Sequence, residues 1–354
     1  MPDGSTLPGF FERTRAASKI IVVDFGFLGD SIHLIPALWE IKRHYPKAEL
    51  HTLSAPVGAE ALAMSPCMNR ALAFPLTAKS PPWWKHWGIL WDLRRQRFDV
   101  AFNFTGSDRS LFAAAVIGAR WTLALEGGRR HFWTGWAASD LVPRGARDLP
   151  VFEQRRQALA AGGFDLQPAR FDLRVSEEAR QWARQTLPDK LAHLSINAST
   201  PVKEWPLENW IDLAKTLLAA DGALHVAASA SANPRERERL AALAKGVNHE
   251  RLITLAAPTL PQLAAALQRS RLHIGADSGV LHLAMALGTP TFSVLRAHPG
   301  MKEWMPVGES HQHFFVPCRC INENRIECLT AGKSSCLGAI TATQIAEAAM
   351  GQLR

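Results

Sequence analysis

The sequence predicts an α/β protein of two domains, residues 1–172 and 173–354, each a parallel sheet with crossover helices. Three observations carry that prediction. Short apolar runs rich in β-branched residues alternate with stretches of helical pattern. The alternation pauses over residues 162–173 and restarts at about residue 176. Several strand ends run into turns of Gly, Ser and Asp that lead straight into helices, the place where open α/β sheets bind ligands. A chain of 354 residues also suits two domains of about 150 to 200 residues, each able to bury its own core. Two α/β halves facing each other across a cleft is the economical architecture.

The first domain is organised around Ile20 to Val23, a run suited to a strand buried on both faces. Gly26 and Gly29 follow and give backbone freedom for a sharp turn and a close approach to a ligand. Asp30 and Ser31 stand where a helix N-cap belongs, and Ile32, Leu34, Ile35 and Leu38 continue at helical spacing. Gly26-Phe27-Leu28-Gly29 is neither the dinucleotide fingerprint nor a Walker A loop. By this stretch alone, Asp30 is equally a plain helix cap or a functional carboxylate. Further strands are expected at Glu49–Leu53, Ala71–Phe74, Asp99–Phe104 and Trp121–Leu125, with helices near 57–65, 84–97 and 108–117. Residues 126–147 carry Arg129, Arg130, His131, Arg144 and Arg147 without regular pattern and read as a basic binding loop. Phe152–Ala161 reads as one more helix.

In the second domain strands are expected at Leu191–Asn197, Ala223–Ala227, Arg251–Leu255, Leu272–Ile274 and Thr291–Leu295. Helices are expected at Leu207–Ala219, 234–245, Leu260–Gln268 and 278–287, and a last one at Ala342–Leu353 is assigned either to this domain or back onto the first. Two turns stand out. After the first strand come Ser199, Thr200 and Lys203, hydroxyls and a point charge suited to a phosphate. After Ile274 come Asp277, Ser278 and Gly279 at a helix start, with outward N–H groups that favour an anion, and His282 one turn on. Without that turn His282 reads as a packed core histidine.

Composition narrows the function classes. A net charge of +8 favours acidic partners: nucleic acid, an anionic membrane face or a phosphorylated substrate. The basic residues are dispersed and follow no recognition motif, which argues against nucleic acid. No apolar run reaches the roughly 18 residues of a membrane span, and Met1–Ser18 has no signal-type apolar core, so the chain is expected to be cytoplasmic. Of 12 tryptophans, four fall within Pro81–Arg95, beside Lys85, Arg94 and Arg95. That segment is either a Trp-rich core helix with a basic outer face or a lipid-headgroup contact. Cys318, Cys320, Cys328 and Cys336 crowd near the end, at a spacing unlike a standard zinc finger, and hold either a metal or cluster or structural thiols.

Leu28-Gly-Asp-Ser-Ile-His-Leu-Ile-Pro-Ala-Leu38, Lys203-Glu-Trp-Pro-Leu-Glu-Asn-Trp210 and Gly275-Ala-Asp-Ser-Gly-Val-Leu-His-Leu-Ala284 resemble the ADP-heptose:lipopolysaccharide heptosyltransferases, glycosyltransferase family 9. Many members share a terminal cysteine cluster in some form. The resemblance implies a GT-B fold, two Rossmann-like domains with the acceptor on the first and the nucleotide-sugar on the second. It implies an inverting transfer of heptose from ADP-heptose to an acidic lipopolysaccharide inner core, at the inner face of the bacterial inner membrane. In that scheme Asp30 is the general base, and Gly26, Gly29 and Ser31 form the acceptor-side loop. Ser199, Thr200 and Lys203 hold the diphosphate, while Asp277, Ser278, Gly279 and His282 complete the donor pocket, with no cofactor required. The acidic residue that members place after the second strand of the second domain finds no match in Ala227–Glu236. Alternatives are another donor sugar, a protein acceptor, or a nucleotide-binding homologue without turnover. The joint presence of Asp30, Lys203 and Asp277 argues against the last.

Overall fold

The computed structural model describes residues 9–75, 86–126, 134–318 and 334–353. They divide into two units, Met1–Asp172 and Leu173–Arg354. The first runs α1 (Phe10–Thr14), β1 (Lys19–Asp24), α2 (Leu28–His44), β2 (Glu49–Ser54), α3 (Pro56–Ala63), β3 (Arg70–Ala73) and α4 (Trp87–Arg95). It continues β4 (Val100–Asn103), α5 (Asp108–Ile117), β5 (Trp121–Leu125), α6 (Thr134–Ala137), β6 (Asp140–Val142) and α7 (Val151–Ala161). Its sheet has the order β3-β2-β1-β4-β5-β6, and every pair is parallel. Ile20 to Val23 are completely buried, as a two-sided strand demands. Ile21 and Val23 pack with Leu53, Leu90, Leu93, Phe98 and Ala114 on one face.

The second unit repeats the plan: α8 (Glu177–Thr186), β7 (Leu191–Ser195), α9 (Leu207–Ala220), β8 (His225–Ala230), α10 (Pro234–Val247), β9 (Leu252–Ala256) and α11 (Leu260–Arg269). Then come β10 (Leu272–Ala276), α12 (Gly279–Ala286), β11 (Thr291–Val294), β12 (His311–Phe314), α13 (Ser335–Gly338) and α14 (Ala342–Leu353). The order β12-β11-β10-β7-β8-β9, again parallel, is the first sheet's order read from its other edge. Both are doubly wound sheets whose order reverses beside the first strand, between β1 and β4 and between β7 and β10.

The structure adds and corrects elements. The basic segment 126–147 contains α6 and β6, and β12 closes the second sheet; both edge strands are short and lack an apolar run, which hides them from pattern reading. On β12, His311 and His313 instead meet Thr291 Oγ1 at 2.8 Å and Ser293 Oγ at 2.6 Å. Helix α8, unexpected from sequence, starts at an N-cap, Ser176, that accepts the Ala179 N–H at 3.2 Å. Helix α14 lies in the second unit's core, Ile345, Ala346, Ala349 and Leu353 packing with Trp210 and Leu213. In α4 it is Leu90 and Leu93 that are buried, whereas Trp87 and Trp91 are 40% and 44% exposed, so the core-helix reading of these two tryptophans is wrong. Trp83 and Trp84 lie outside the described residues. Among the described residues no helix is long and apolar enough to cross a membrane.

Candidate active site

Each switch point carries one of the two sequence-marked constellations. In the first unit, β1 ends at Asp24 and α2 begins at Leu28, so Asp30 is the third helical residue and not the N-cap. Its Oδ2 accepts the Phe27 N–H at 2.9 Å, which satisfies one open donor of the helix start. Gly26 is there for space: a Cβ on it would lie 2.5 Å from Asp30 Cγ, and its backbone is not in the left-handed region. Gly29 is a buried residue of the first helical turn. Ser31, expected on the acceptor-side loop, is completely buried, its Oγ occupying the space a Cβ on Gly58 of α3 would need. It is a packing residue between α2 and α3.

Two charged residues that the sequence reading passed over meet Asp30. Asp24 is buried at the end of β1, its Oδ1 accepting the Gly26 N–H at 2.8 Å. Arg155, buried on α7, brings its guanidinium 3.0 Å from Asp24 Oδ2 and 3.6 Å from Asp30 Oδ1, and donates to the Asp30 carbonyl oxygen. Burial raises the Asp30 carboxyl above its ordinary range; Arg155 pulls it down and Asp24 pushes it up. Only the chain's return through α7 brings Arg155 here, and no local spacing announces it. Phe27, beside Asp30, is 81% exposed. An apolar cavity of about 310 Å³ lies in the same unit, lined by Phe25, Phe74, Leu90, Phe112 and Ala113 with Asp108 and Arg109.

In the second unit the structure joins the two turns. Lys203, at the end of a 3-10 turn after β7, places Nζ 2.7 Å from Asp277 Oδ2, at the end of β10. Ser278 is the N-cap of α12 but does not cap it with its side chain; its Oγ lies 3.4 Å from Ser195 Oγ. Gly279 opens the helix, so its first turn presents N–H groups and a positive dipole end beside Lys203. Ser199 and Thr200 are exposed on the same turn as Lys203. His282 is buried against Trp304, ring centroids 5.5 Å apart, and burial lowers it to about 4, so it is neutral at physiological pH. His298, absent from the sequence reading, is lowered by burial and also feels Asp277 and Lys203.

The rest of the Lys203-Glu204-Trp205 motif is scaffold. Arg235 of α10 donates to Glu204 Oε1 at 2.6 Å and to the Ala198 carbonyl at 2.9 Å. Trp205, completely buried, donates from Nε1 to the Ile340 carbonyl at 3.0 Å. These bonds clamp the turn that carries Ser199, Thr200 and Lys203. After β8, in the stretch where the sequence offers no acidic match, Glu236 of α10 accepts the Ser231 N–H at 2.9 Å. Of the terminal cysteines, Cys320 and Cys328 lie outside the described residues, as do Arg129, Arg130 and His131. Among the described residues, where Cys336 is buried, no cluster of His, Cys, Asp and Glu suits a metal ion.

Comparison with known proteins agrees with this layout. The chain is 24% identical over 292 residues to the lipopolysaccharide core heptosyltransferase OpsX of Haemophilus influenzae, covering 80% of this chain and 81% of that protein. It is 25% identical over 324 residues to lipopolysaccharide heptosyltransferase 1 of Pseudomonas aeruginosa, covering 85% of each. The solved structure of E. coli ADP-heptose lps heptosyltransferase II superposes with a TM-score of 0.75 at 20% identity, over 95% of this chain and 98% of that one, and shares its fold, GT-B. A sequence profile matches residues 87–333, from α4 onward, and on that match the chain belongs to glycosyltransferase family 9 (heptosyltransferase).

Proposed function

We propose that this glycosyltransferase moves heptose from ADP-heptose to a hydroxyl of the phosphorylated inner core of lipopolysaccharide, with inversion at the anomeric carbon. The observation that carries the reading is the pair of switch points: a partly buried carboxylate at one, a lysine beside a helix N-terminus at the other. The names of the lipopolysaccharide heptosyltransferases similar to this chain support the choice of donor and acceptor.

In a single displacement Asp30 takes the acceptor hydroxyl proton while that oxygen attacks the anomeric carbon and the bond to ADP breaks. The diphosphate leaves with negative charge. Lys203 Nζ, the Ser199 and Thr200 hydroxyls and the first-turn N–H groups of α12 receive it, supplying the positive potential the departing group needs without calling on a metal. Asp277 and Ser278 serve the sugar hydroxyls, and neutral His282 stands behind them. Glu236 suits the ribose hydroxyls. The net charge of +8, with exposed Trp87 and Trp91 beside Arg94 and Arg95, supports contact with the anionic inner face of a membrane, where such an acceptor is held.

The test is transfer from ADP-L-glycero-D-manno-heptose to a truncated core acceptor, wild type beside Asp30→Asn, with ADP- and UDP-hexoses as competitors. The wild type turns over heptose. Asp30→Asn loses about 10² to 10⁴-fold in kcat while binding ADP as before. Binding of ADP with no heptose transferred, or faster transfer from another sugar nucleotide, overturns the assignment.

A further inference from the structure

Arg155 is a buried guanidinium, its side chain 4% exposed, and such a group persists only where partners compensate its lost hydration. Those partners are Asp24, with a side chain 1% exposed, and Asp30, whose side chain is 25% exposed and therefore within reach of an acceptor. The neighbouring residue fixes the register. Arg156 lies 3.3 Å from the buried Glu40 Oε1 of α2 and also pairs with Glu153. Glu40 in turn accepts the Gln167 N–H at 2.8 Å and pairs with Arg43 at 2.9 Å. With α7 pinned to α2 in this way, Arg155 falls on the carboxyl end of β1.

We propose that Arg155 is a positioning residue of the transfer reaction: anchored on Asp24, its guanidinium holds the Asp30 carboxylate in place and in its charged form. This deepens the reading of Asp30 as base and rests on it. With Oδ2 on the Phe27 N–H and Oδ1 facing Arg155, the carboxylate is held from two sides. Arg155 from α7 and Asp24 from β1 are the charged groups that act on Asp30. Glu40, Glu153 and Arg156 are paired with one another, and α3 meets this part of α2 with Gly58 while its Glu60 is exposed. Burial, the largest influence, opposes the ionised base; the guanidinium favours it, acting more strongly than Asp24, which opposes it.

The experiment is the pH profile of kcat/KM for heptose transfer, which reports the free enzyme's base. In Arg155→Gln the acid limb moves to higher pH by about one unit or more, with about 10 to 100-fold lost at neutral pH and part of it regained as pH rises. Arg155→Lys lies between this and wild type. Asp24→Asn moves the limb to lower pH. Because Arg155→Gln strands a buried carboxylate and can fail to fold, the double variant Asp24→Asn, Arg155→Gln removes both charges; its limb lies above wild type, since the stronger influence has gone. ADP affinity, a property of the second unit, stays unchanged in all four. A loss equal at every pH, with the limb unmoved in Arg155→Lys and in the double variant, overturns the positioning role alone. Full turnover by Asp30→Asn overturns the base assignment, and this proposal with it.

Discussion

Gly26 and Asp30 share a space that admits one side chain. Glycine at position 26 is explained by that contact and not by a special backbone angle, since its φ is not in the left-handed region. A methyl group there has to displace the Asp30 Cβ–Cγ bond itself, because the contacted atoms are the root of the side chain and not a flexible end. Gly26→Ala is therefore expected to lower kcat about 10²-fold through a misplaced carboxylate, the scale of loss for an error of about 1 Å in a reacting group. The check is single-turnover transfer beside ADP titration: kcat falls and ADP affinity holds. An unchanged kcat means that Asp30 does no chemistry in its observed position.

The strands that lead into the Lys203 and Asp277 turns carry a polar feature in their interior. His193 on β7 and His273 on β10 are completely buried, with their Nδ1 atoms 3.0 Å apart, so one neutral ring donates to the other. Burial lowers His193 to about 3 and lowers His273 well below its ordinary value, with His193 adding to the effect. His282 on α12 is lowered to about 4. The unfolded chain takes up these protons as pH falls through about 6.5, whereas the folded chain does not, so their stabilising contribution is complete above about 6.5 and declines toward about 4. The urea midpoint of the whole chain is expected to fall steadily from about pH 7 to about pH 4.5. His193→Gln with His273→Gln, uncharged at every pH, flattens part of that slope. A midpoint flat over this range contradicts the buried neutral pair.

At the scale of the molecule, the charge and the outward tryptophans make a joint prediction. The protein is expected to sediment with vesicles of phosphatidylcholine and phosphatidylglycerol, weakly with phosphatidylcholine alone, and to be released between about 0.05 M and about 0.5 M salt as the Debye length shrinks. Trp87→Ala with Trp91→Ala lowers the affinity several-fold, because the rings supply the apolar share of the contact. Equal binding to neutral vesicles, or no binding to either, removes the membrane contact from the proposal.

The sequence by itself determined the two doubly wound sheets, because a strand buried on both faces and the helix that crosses behind it are written in local periodicity, and Ile20–Val23 or Leu272–Ile274 reads so without its neighbours. It also marked Asp30, Lys203 and Asp277, since the turn that follows a parallel strand is continuous in the chain. Edge strands β6 and β12 and helix α8 escaped, being short or polar. Tertiary structure alone decided which side chains meet. Asp24 and Asp30 find Arg155 more than a hundred residues on, Lys203 finds Asp277 across β7 and β10, and Ser31 turns from the expected loop into the α2–α3 packing. Such pairings follow from the order in which strands are laid beside one another, and strand order is a property of the sheet that no single stretch of chain contains.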